Sequence, residues 1–251
     1  IAGGKTSLLA PNGTRIEILP LAAPVVMPPT LHEFVVRKMT DQASWVIGRA
    51  GMHYRDLVPS RLGGSIIASH IRIPDGGPVP DMVHFHSVGF QLIYCYKGWV
   101  DLVYEDQGPP FRLHAGNCVI QPPEIRHRVL FASDNIEVIE IGVPAEHVTT
   151  IDHDMELPTP NFMPERKFSG QKFVHSEVLD ADWAQSRLPG FMSRDTTICK
   201  NTQGVASVHL IKRGDGIPLW TSHTSDIHFN FVLEGGFTLE GVGQPAQELK
   251  S

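Results

Sequence analysis

The sequence predicts an all-β protein made of short antiparallel strands. From about residue 43 onward, short apolar runs alternate with turn-forming residues, which favours a β-sandwich or barrel over β-α-β units. The 251 residues include 23 glycines and 20 prolines, as expected for a turn-rich β-protein. Helical periodicity is nearly absent, so we expect no helical layer.

The predicted elements follow the chain in a simple order. The first 40 residues are rich in proline and short apolar runs, and they are predicted to form an extended arm. The apolar runs that follow predict strands over residues 65–73, 90–96, 99–104, 118–121, 128–131 and 136–141. The Asp75-Gly76-Gly77 sequence predicts a turn after the first of them.

Composition excludes several classes of function. Charged residues make up 19% and hydrophobic residues 41% of the chain, which is typical of a globular protein. The formal net charge of −6 argues against nucleic acid or an anionic membrane as partner. No apolar run approaches the roughly 20 residues of a membrane span. Cys95, Cys118 and Cys199 are too few and too widely spaced for a disulfide framework, so a reducing cytoplasm is the expected location.

The chemistry of the chain centres on His84-Phe85-His86 and on the later His127. Histidines at positions i and i+2 of a strand point to the same side, because strand side chains alternate with a period of two. A third histidine from a later strand then brings three imidazoles around one cation. Imidazole is a common ligand of first-row transition metals, so the pattern predicts a metal site within a β-structure.

These histidines belong to a two-part pattern that resembles the signature of the cupin superfamily. The first part is matched by Gly77, His84, His86, Gln91 and Gly98, and the second part by Gly116, Pro122 and His127. The chain departs from the signature in having six residues rather than five between Gly77 and His84, and in having Gln91, Glu124 and Phe131 where glutamate, glycine and asparagine are usual. The resemblance spans residues 77–127 and implies a double-stranded β-helix, which is a jelly-roll barrel.

The resemblance also implies a ligand set of His84, His86, His127 and Gln91. A neutral amide at position 91 binds a divalent ion more weakly than the usual carboxylate and leaves the full charge of the ion uncompensated. We therefore predict that Gln91 either binds the metal weakly or hydrogen-bonds a metal-bound water or the substrate, which makes it the candidate catalytic residue. The alternative is an ordinary polar neighbour of the site. Fe(II) is the favoured ion, with Zn, Mn and Ni as alternatives.

An internal repeat predicts a second barrel. Residues 68–77 resemble residues 207–216, and residues 86–98 align with residues 223–235 after a two-residue deletion. The chain thus resembles a bicupin with an arm (1–40), a metal-binding barrel (41–142), a linker (143–175) and a second barrel (176–251). The second half of the signature is absent from the second copy. We expect the natural chain to continue past Ser251, the alternative being that the arm completes the second barrel.

The second copy retains part of the metal pattern. Thr221 stands where the first histidine would be, His223 keeps the second, and His228 replaces the acidic position. His223 and His228 are therefore a candidate second metal site, and the alternative is a structural or ligand-recognition barrel.

Three functions remain open at this point. The first is a non-haem Fe(II) dioxygenase acting on a small anionic or aromatic chelating substrate, as the resemblance to three-histidine cupin dioxygenases implies. The second is a lyase or isomerase that uses its metal without a redox step, for which Glu140 or a tyrosine is a candidate base. The third is a non-catalytic protein that binds a small ligand. A homodimer is expected, because antiparallel barrels with exposed edges commonly pair.

Overall fold

The computed structural model describes residues 6–18, 25–41, 44–178 and 182–251. The strands are β1 (Thr6–Leu9), β2 (Arg15–Ile18), β3 (Val46–Ile47), β4 (His53–Asp56), β5 (Ile67–Ile73), β6 (Gly77–Pro78), β7 (His84–His86), β8 (Phe90–Lys97), β9 (Trp99–Tyr104), β10 (Phe111–His114), β11 (Cys118–Ile120), β12 (His127–Ala132), β13 (Ile136–Val143), β14 (Thr149–Ile151), β15 (Lys167–Phe168), β16 (Gln171–Lys172), β17 (Val174–Ser176), β18 (Ala184–Gln185), β19 (Phe191–Asp195), β20 (His209–Arg213), β21 (Gly236–Leu239) and β22 (Gln247–Lys250). Helical structure in the described residues is limited to α1 (Ile198–Asn201) and the 3-10 turns Arg49–Gly51 and Arg61–Gly64.

Two antiparallel sheets form the barrel. One has the strand order β10-β9-β12-β7-β14, with β6 beside β12, and the other has the order β17-β11-β8-β13-β5-β4-β3. Most neighbouring strands in these sheets are not consecutive in sequence, as in a jelly roll. The all-β fold class predicted from the sequence is therefore confirmed, and the predicted strand runs correspond to β5, β8, β9, β11, β12 and β13.

The inner core lies between the two sheets. Leu113 and Val100 come from the six-stranded sheet, Cys95 and Val119 from the seven-stranded sheet, and all four are almost fully buried. Burying one such aliphatic side chain contributes about 1.5–3 kcal/mol, so these contacts hold the sheets face to face. Burial also raises the pKa of Cys95 to about 12, which makes this thiol a packing group rather than a nucleophile.

The seven-stranded sheet also packs on its outer face. Ile93 and Cys95 of β8 point to the inner core, whereas Leu92, Tyr94 and Tyr96 point outward, as strand alternation requires. The outer cluster includes Phe231 from the C-terminal half, whose ring centroid lies 5.3 Å from that of Tyr96. The C-terminal half therefore covers part of this outer face.

The segments outside the barrel core contain more structure than an arm and a linker. Within residues 143–175, β14 pairs with β7 and β17 begins pairing with β11, so both sheets gain an edge strand there. In the predicted arm, β1 and β2 form a hairpin, while residues 1–5 and 19–24 lie outside the described residues. Residues 184–250 contain the sheet β18-β19-β20 and the hairpin β21-β22. The domain boundaries proposed from the repeat remain predictions.

The helices of the described residues are all too short or too polar to cross a membrane.

Candidate metal centre

Three histidines meet on the inner face of the six-stranded sheet. His84 and His86 lie two residues apart on β7, and His127 on β12 is the direct cross-strand partner of His84. Their exposed fractions are only 1%, 9% and 3%. The period of two places the first pair on one side, and the antiparallel pairing of β7 with β12 brings in the third ring.

The three rings are close enough to share one ion. Their candidate ligand atoms all lie within 4.8 Å of one another. The ring centroid of His84 lies 4.2 Å from that of His127 and 5.1 Å from that of His86, and the centroids of His86 and His127 are 5.2 Å apart. The structure thus brings together the three histidines that the sequence predicted as metal ligands.

Each ring is oriented through its Nδ1 atom. His84 Nδ1 donates to the carbonyl oxygen of Met82 at 2.7 Å, and His127 Nδ1 donates to that of Ile125 at 2.9 Å. His86 Nδ1 is hydrogen-bonded to Thr149 Oγ1 at 2.9 Å. The carbonyl partners can only accept, so they fix the tautomer of His84 and His127 in which Nε2 carries the lone pair.

The donor set fits a divalent transition metal. His84 Nε2 is buried and has no hydrogen-bond partner among the described residues, and a buried polar atom in that state costs about 1–3 kcal/mol unless a ligand compensates for it. Three neutral imidazoles whose ligand atoms lie within 4.8 Å of one another are donors that Fe, Zn, Mn and Ni ions accept. His84, His86 and His127 are therefore the residues that would hold the ion.

Burial keeps the three imidazoles neutral. Loss of hydration lowers the pKa of His86 to about 3, with the neighbouring His84, His147 and Arg49 charges acting in the same direction. Burial is likewise the largest cause of the lowered pKa of His84 and of His127, with Arg49 adding to both. A neutral ring is the form that binds a metal, so no proton has to be displaced near neutral pH.

We expect the metal-free protein to lose stability as the pH falls below about 6.5, the usual histidine pKa. Below that value the unfolded chain binds protons at these histidines that the folded chain does not bind, so the free energy of unfolding decreases with falling pH. The loss continues down to the folded pKa of His86, about 3. Urea unfolding at a series of pH values measures it, and His86→Gln should show a shallower dependence. Unchanged stability from about pH 7 to about pH 5 would contradict this assignment.

Gln91 contacts the cavity residue Glu140. Its side chain is 1% exposed, and its Nε2 donates to Glu140 Oε1 at 2.6 Å. Its Oε1 is buried and has no hydrogen-bond partner among the described residues. The amide therefore presents an unused acceptor oxygen and ties a carboxyl group to the site. Its predicted role as a weak metal ligand or catalytic residue stays a prediction.

Glu140 brings the carboxyl group that position 91 lacks. It lies on β13 beside β8, where it is the register partner of Ile93, and it lines the same cavity as the histidines. Burial raises the pKa of Glu140, although the hydrogen bond from Gln91 and the charges of His147 and Arg49 oppose the shift. Such a carboxyl group is suited to holding and releasing a proton. Ile136, Val138 and Glu140 lie on the same face of β13 because strand side chains alternate, and this pattern in the sequence predicts that Glu140 points inward.

The histidines lie at one end of a cavity of about 380 Å³. Most of its wall is apolar, with aliphatic side chains from both sheets, for example Ile71, Ile93, Leu102, Val129 and Val138. Arg49, His147 and Thr149 lie beside the histidines and form with them the polar end of the cavity. The cavity thus combines a large apolar volume with a compact polar end, as small-molecule sites commonly do.

Sequence reasoning missed two residues of the polar end. Arg49 precedes the signature, and its Nη1 is bonded to Asp81 and lies 3.3 Å from His84 Nδ1. His147 follows β13, and its ring centroid lies 5.5 Å from that of His86. Neither belongs to a spaced motif, so no sequence signal identified them as cavity residues.

The second copy of the internal repeat has fewer potential metal ligands than the first. The rings of His223 and His228 are 4.7 Å apart between centroids, and both side chains are exposed. Burial and the charge of His223 lower the pKa of His228. Among the described residues, His84, His86 and His127 are the single group of three or more metal-type side chains, so no third such ligand joins this pair. A second metal site here stays a prediction.

Comparison with known proteins finds similar solved structures. The polyketide cyclase RemF from Streptomyces resistomycificus is 20% identical, and the match covers 50% of this chain and 90% of that chain at a TM-score of 0.40. A variant of oxalate decarboxylase from B. subtilis is 11% identical, with 70% and 57% covered and a TM-score of 0.44. The protein Ylba from E. coli is 13% identical, with 62% and 55% covered and a TM-score of 0.42. No family model and no curated protein sequence matches the chain.

The fold and the site define the class of protein. Two antiparallel sheets with jelly-roll strand order enclose a buried cluster of three histidines. This is a cupin fold, and the resemblance carried by residues 77–127 is confirmed at the level of the fold.

Proposed function

We propose that this protein is a metal-dependent cupin enzyme, and that its reaction is a dioxygenation at Fe(II). The observation that carries the proposal is the convergence of His84, His86 and His127 in one cavity with a mainly apolar wall. Neutral imidazoles leave the charge of a bound cation uncompensated, which favours a substrate that brings an anionic oxygen of its own. When bound, the ion supplies Lewis-acid polarisation and, if it is iron(II), one-electron chemistry with O₂.

The residues of this chain prepare the site in three ways. The carbonyl groups of Met82 and Ile125 orient the imidazoles of His84 and His127, so little reorganisation is needed when a ligand binds. The aliphatic side chains of the wall lower the local polarity, which strengthens electrostatic interactions in the cavity. Gln91 holds the Glu140 carboxyl group next to the substrate volume.

The cavity favours an aromatic or otherwise apolar substrate over a small polar chelator. A volume of about 380 Å³ walled by isoleucine, leucine and valine side chains is larger and more apolar than a two-carbon acid requires. Filling it with an apolar body contributes about 25 cal/mol per Å² of surface removed from water. The substrate we propose therefore has an apolar body and an oxygen-bearing end directed at the histidines.

Metal content and oxygen consumption test the proposal directly. We expect the purified protein to contain one transition metal ion per chain, and iron(II)-loaded protein to consume O₂ with catechols, hydroxylated aromatic acids or diketones. His127→Ala should abolish both signals, and His114→Ala, an exposed histidine on β10, should leave both unchanged. Iron without oxygen consumption on the whole panel would overturn the dioxygenase assignment. A metal-free protein after expression in metal-replete medium would favour a ligand-binding protein.

Glu140 favours a second candidate, a lyase or isomerase that uses its metal without redox chemistry. Such a reaction needs a general acid or base close to the substrate, and Glu140 is a cavity residue with a raised pKa. In this case Glu140→Gln should lower turnover by about 10²–10⁴-fold, the usual contribution of general acid–base catalysis. In the dioxygenase case the same variant should keep most of its oxygen consumption. Metal content, measured in parallel, should be unchanged in both cases.

The expected cellular setting and oligomeric state complete the proposal. Cys95 and Cys118 are buried free thiols, which fits the reducing cytoplasm expected from the sequence. The strands β3 and β17 end the seven-stranded sheet and provide edges through which a homodimer can form. Analytical ultracentrifugation measures the oligomeric state.

A further inference from the structure

The polar end of the cavity contains a positively charged side chain, Arg49, that is not one of the three candidate metal ligands. Among the described residues that line the cavity, Arg49 is the sole lysine or arginine. Its side chain is 37% exposed and lies next to the ring of His84. The positive charge of Arg49 adds to the effect of burial in lowering the pKa of His84, His86 and His127, and it opposes the burial that raises the pKa of Glu140, so its field reaches the whole polar end.

Arg49 is held in place by groups that leave part of its guanidinium free. Within the part of the chain that the structure describes, every hydrogen bond of Arg49 runs through Nη1, whose partner is Asp81 Oδ1. The other oxygen of Asp81 accepts a hydrogen bond from the backbone N–H of Val129 at 2.9 Å. Both oxygens of Asp81 are therefore engaged, whereas Nε and Nη2 of Arg49 have no hydrogen-bond partner among the described residues. A guanidinium group offers five N–H donors and binds a carboxylate through two of them at once.

The backbone around Arg49 is shaped to present it at the cavity. Arg49 begins the 3-10 turn Arg49–Gly51, in which Ala50 has a φ of 53°. A Cβ atom at Gly48 would lie 2.6 Å from Cε2 of Tyr54, itself a cavity residue. Glycine at position 48 thus allows the turn to pack directly on the cavity wall. This close approach fixes the position of the backbone from which the Arg49 side chain extends.

We propose that Arg49 binds a carboxylate of the substrate, and that the substrate class is therefore hydrophobic carboxylic acids. The inference rests on the proposed function for the identity of the site. The aliphatic wall accommodates the apolar body, the guanidinium pairs with the acid group, and the histidines lie beside that group. A neutral aromatic molecule leaves the guanidinium unpaired, and a small dicarboxylic acid leaves the apolar volume unfilled.

A matched pair of probes separates charge from shape. 2-Naphthoate and 2-naphthamide have the same ring and differ in the charged group, so their affinities measured by titration calorimetry report on the carboxylate contact alone. A charge-assisted hydrogen bond contributes about 1.5–3 kcal/mol, so we expect the acid to bind about 10–100-fold more tightly than the amide. The measurement is made on chelator-treated protein and on metal-loaded protein, so that the metal contribution is known.

Variants then assign the preference to Arg49. Arg49→Gln should remove the preference for naphthoate, and Arg49→Lys, which keeps the charge but not the two-donor fork, should retain only part of it. Because Arg49→Gln leaves Asp81 without its cation, the double variant Arg49→Gln/Asp81→Asn provides a neutral, hydrogen-bonded replacement for the pair. Arg112→Gln, which breaks a surface pair with Asp101, is the matched control and should bind as wild type does.

The outcomes distinguish this inference from the proposed function. Equal binding of acid and amide, or a preference that survives in both Arg49→Gln and the double variant, overturns the role of Arg49. A preference seen only in metal-loaded protein and unaffected by Arg49→Gln means that the metal holds the carboxylate, which also overturns it while leaving the metal centre intact. An Arg49-dependent preference in a protein that binds no metal supports the inference and refutes the proposed function.

Discussion

His127→Ala is expected to abolish tight metal binding while leaving the barrel folded. His127 is 3% exposed and is one of only three imidazoles at the centre, so its removal leaves the pair on β7 to hold the ion alone. Losing a hydrogen-bonding partner of a ligand already costs about 10–100-fold in affinity, and losing the ligand itself should cost more. Metal analysis after dialysis measures the stoichiometry directly.

Thermal unfolding provides an independent measure of the same loss. A ligand present at about 100 times its dissociation constant stabilises the folded state by about 2.7 kcal/mol. Wild-type protein should therefore unfold at a higher temperature when the metal is added, and His127→Ala should not. His114→Ala on the exposed face of β10 should respond as wild type does. The three-histidine assignment fails if His127→Ala binds metal with wild-type stoichiometry and stabilisation.

Local rules were sufficient to predict the fold class and the convergence of the histidines. A strand alternates its side chains with a period of two, so His84 and His86 had to share a face wherever their strand lay. The same rule placed Ile93 and Cys95 inside and Leu92 outside. These features depend on residues that are adjacent or nearly adjacent in the chain, and a single sequence specifies them.

The rest of the site depends on long-range packing that no spacing rule contains. Arg49 reaches the cavity through a turn that packs on Tyr54, and His147 reaches it because the chain doubles back after β13 to pair β14 with β7. The strands β14 and β17 lie in a polar, proline-rich segment whose composition is typical of a linker. Their pairing partners, rather than their own residues, make them strands.

Asp81→Ala is expected to lower the free energy of unfolding by about 2–4 kcal/mol. The side chain of Asp81 is 1% exposed, pairs with Arg49 and accepts a hydrogen bond from the backbone N–H of Val129. Its Oδ2 also lies 3.7 Å from His84 Nδ1. Removing the carboxylate leaves the Val129 donor unpaired and Arg49 without its partner. Because Arg49 is partly exposed, water offsets some of that loss, which keeps the expected value below that of a fully buried pair. Urea unfolding measures the change.

Asp81 also connects the stability of the barrel to its chemistry. It lies just before β7 and bonds to β12, so it ties the two strands that supply the histidines to the turn that supplies Arg49. Asp81→Asn keeps the hydrogen-bonding shape without the charge and should be less destabilising than Asp81→Ala. Asp101→Ala breaks a comparable pair with Arg112 on the surface, where exposed pairs contribute little, and serves as the control. If Asp81→Ala and Asp101→Ala have equal effects on unfolding and on metal affinity, Asp81 does not organise this site.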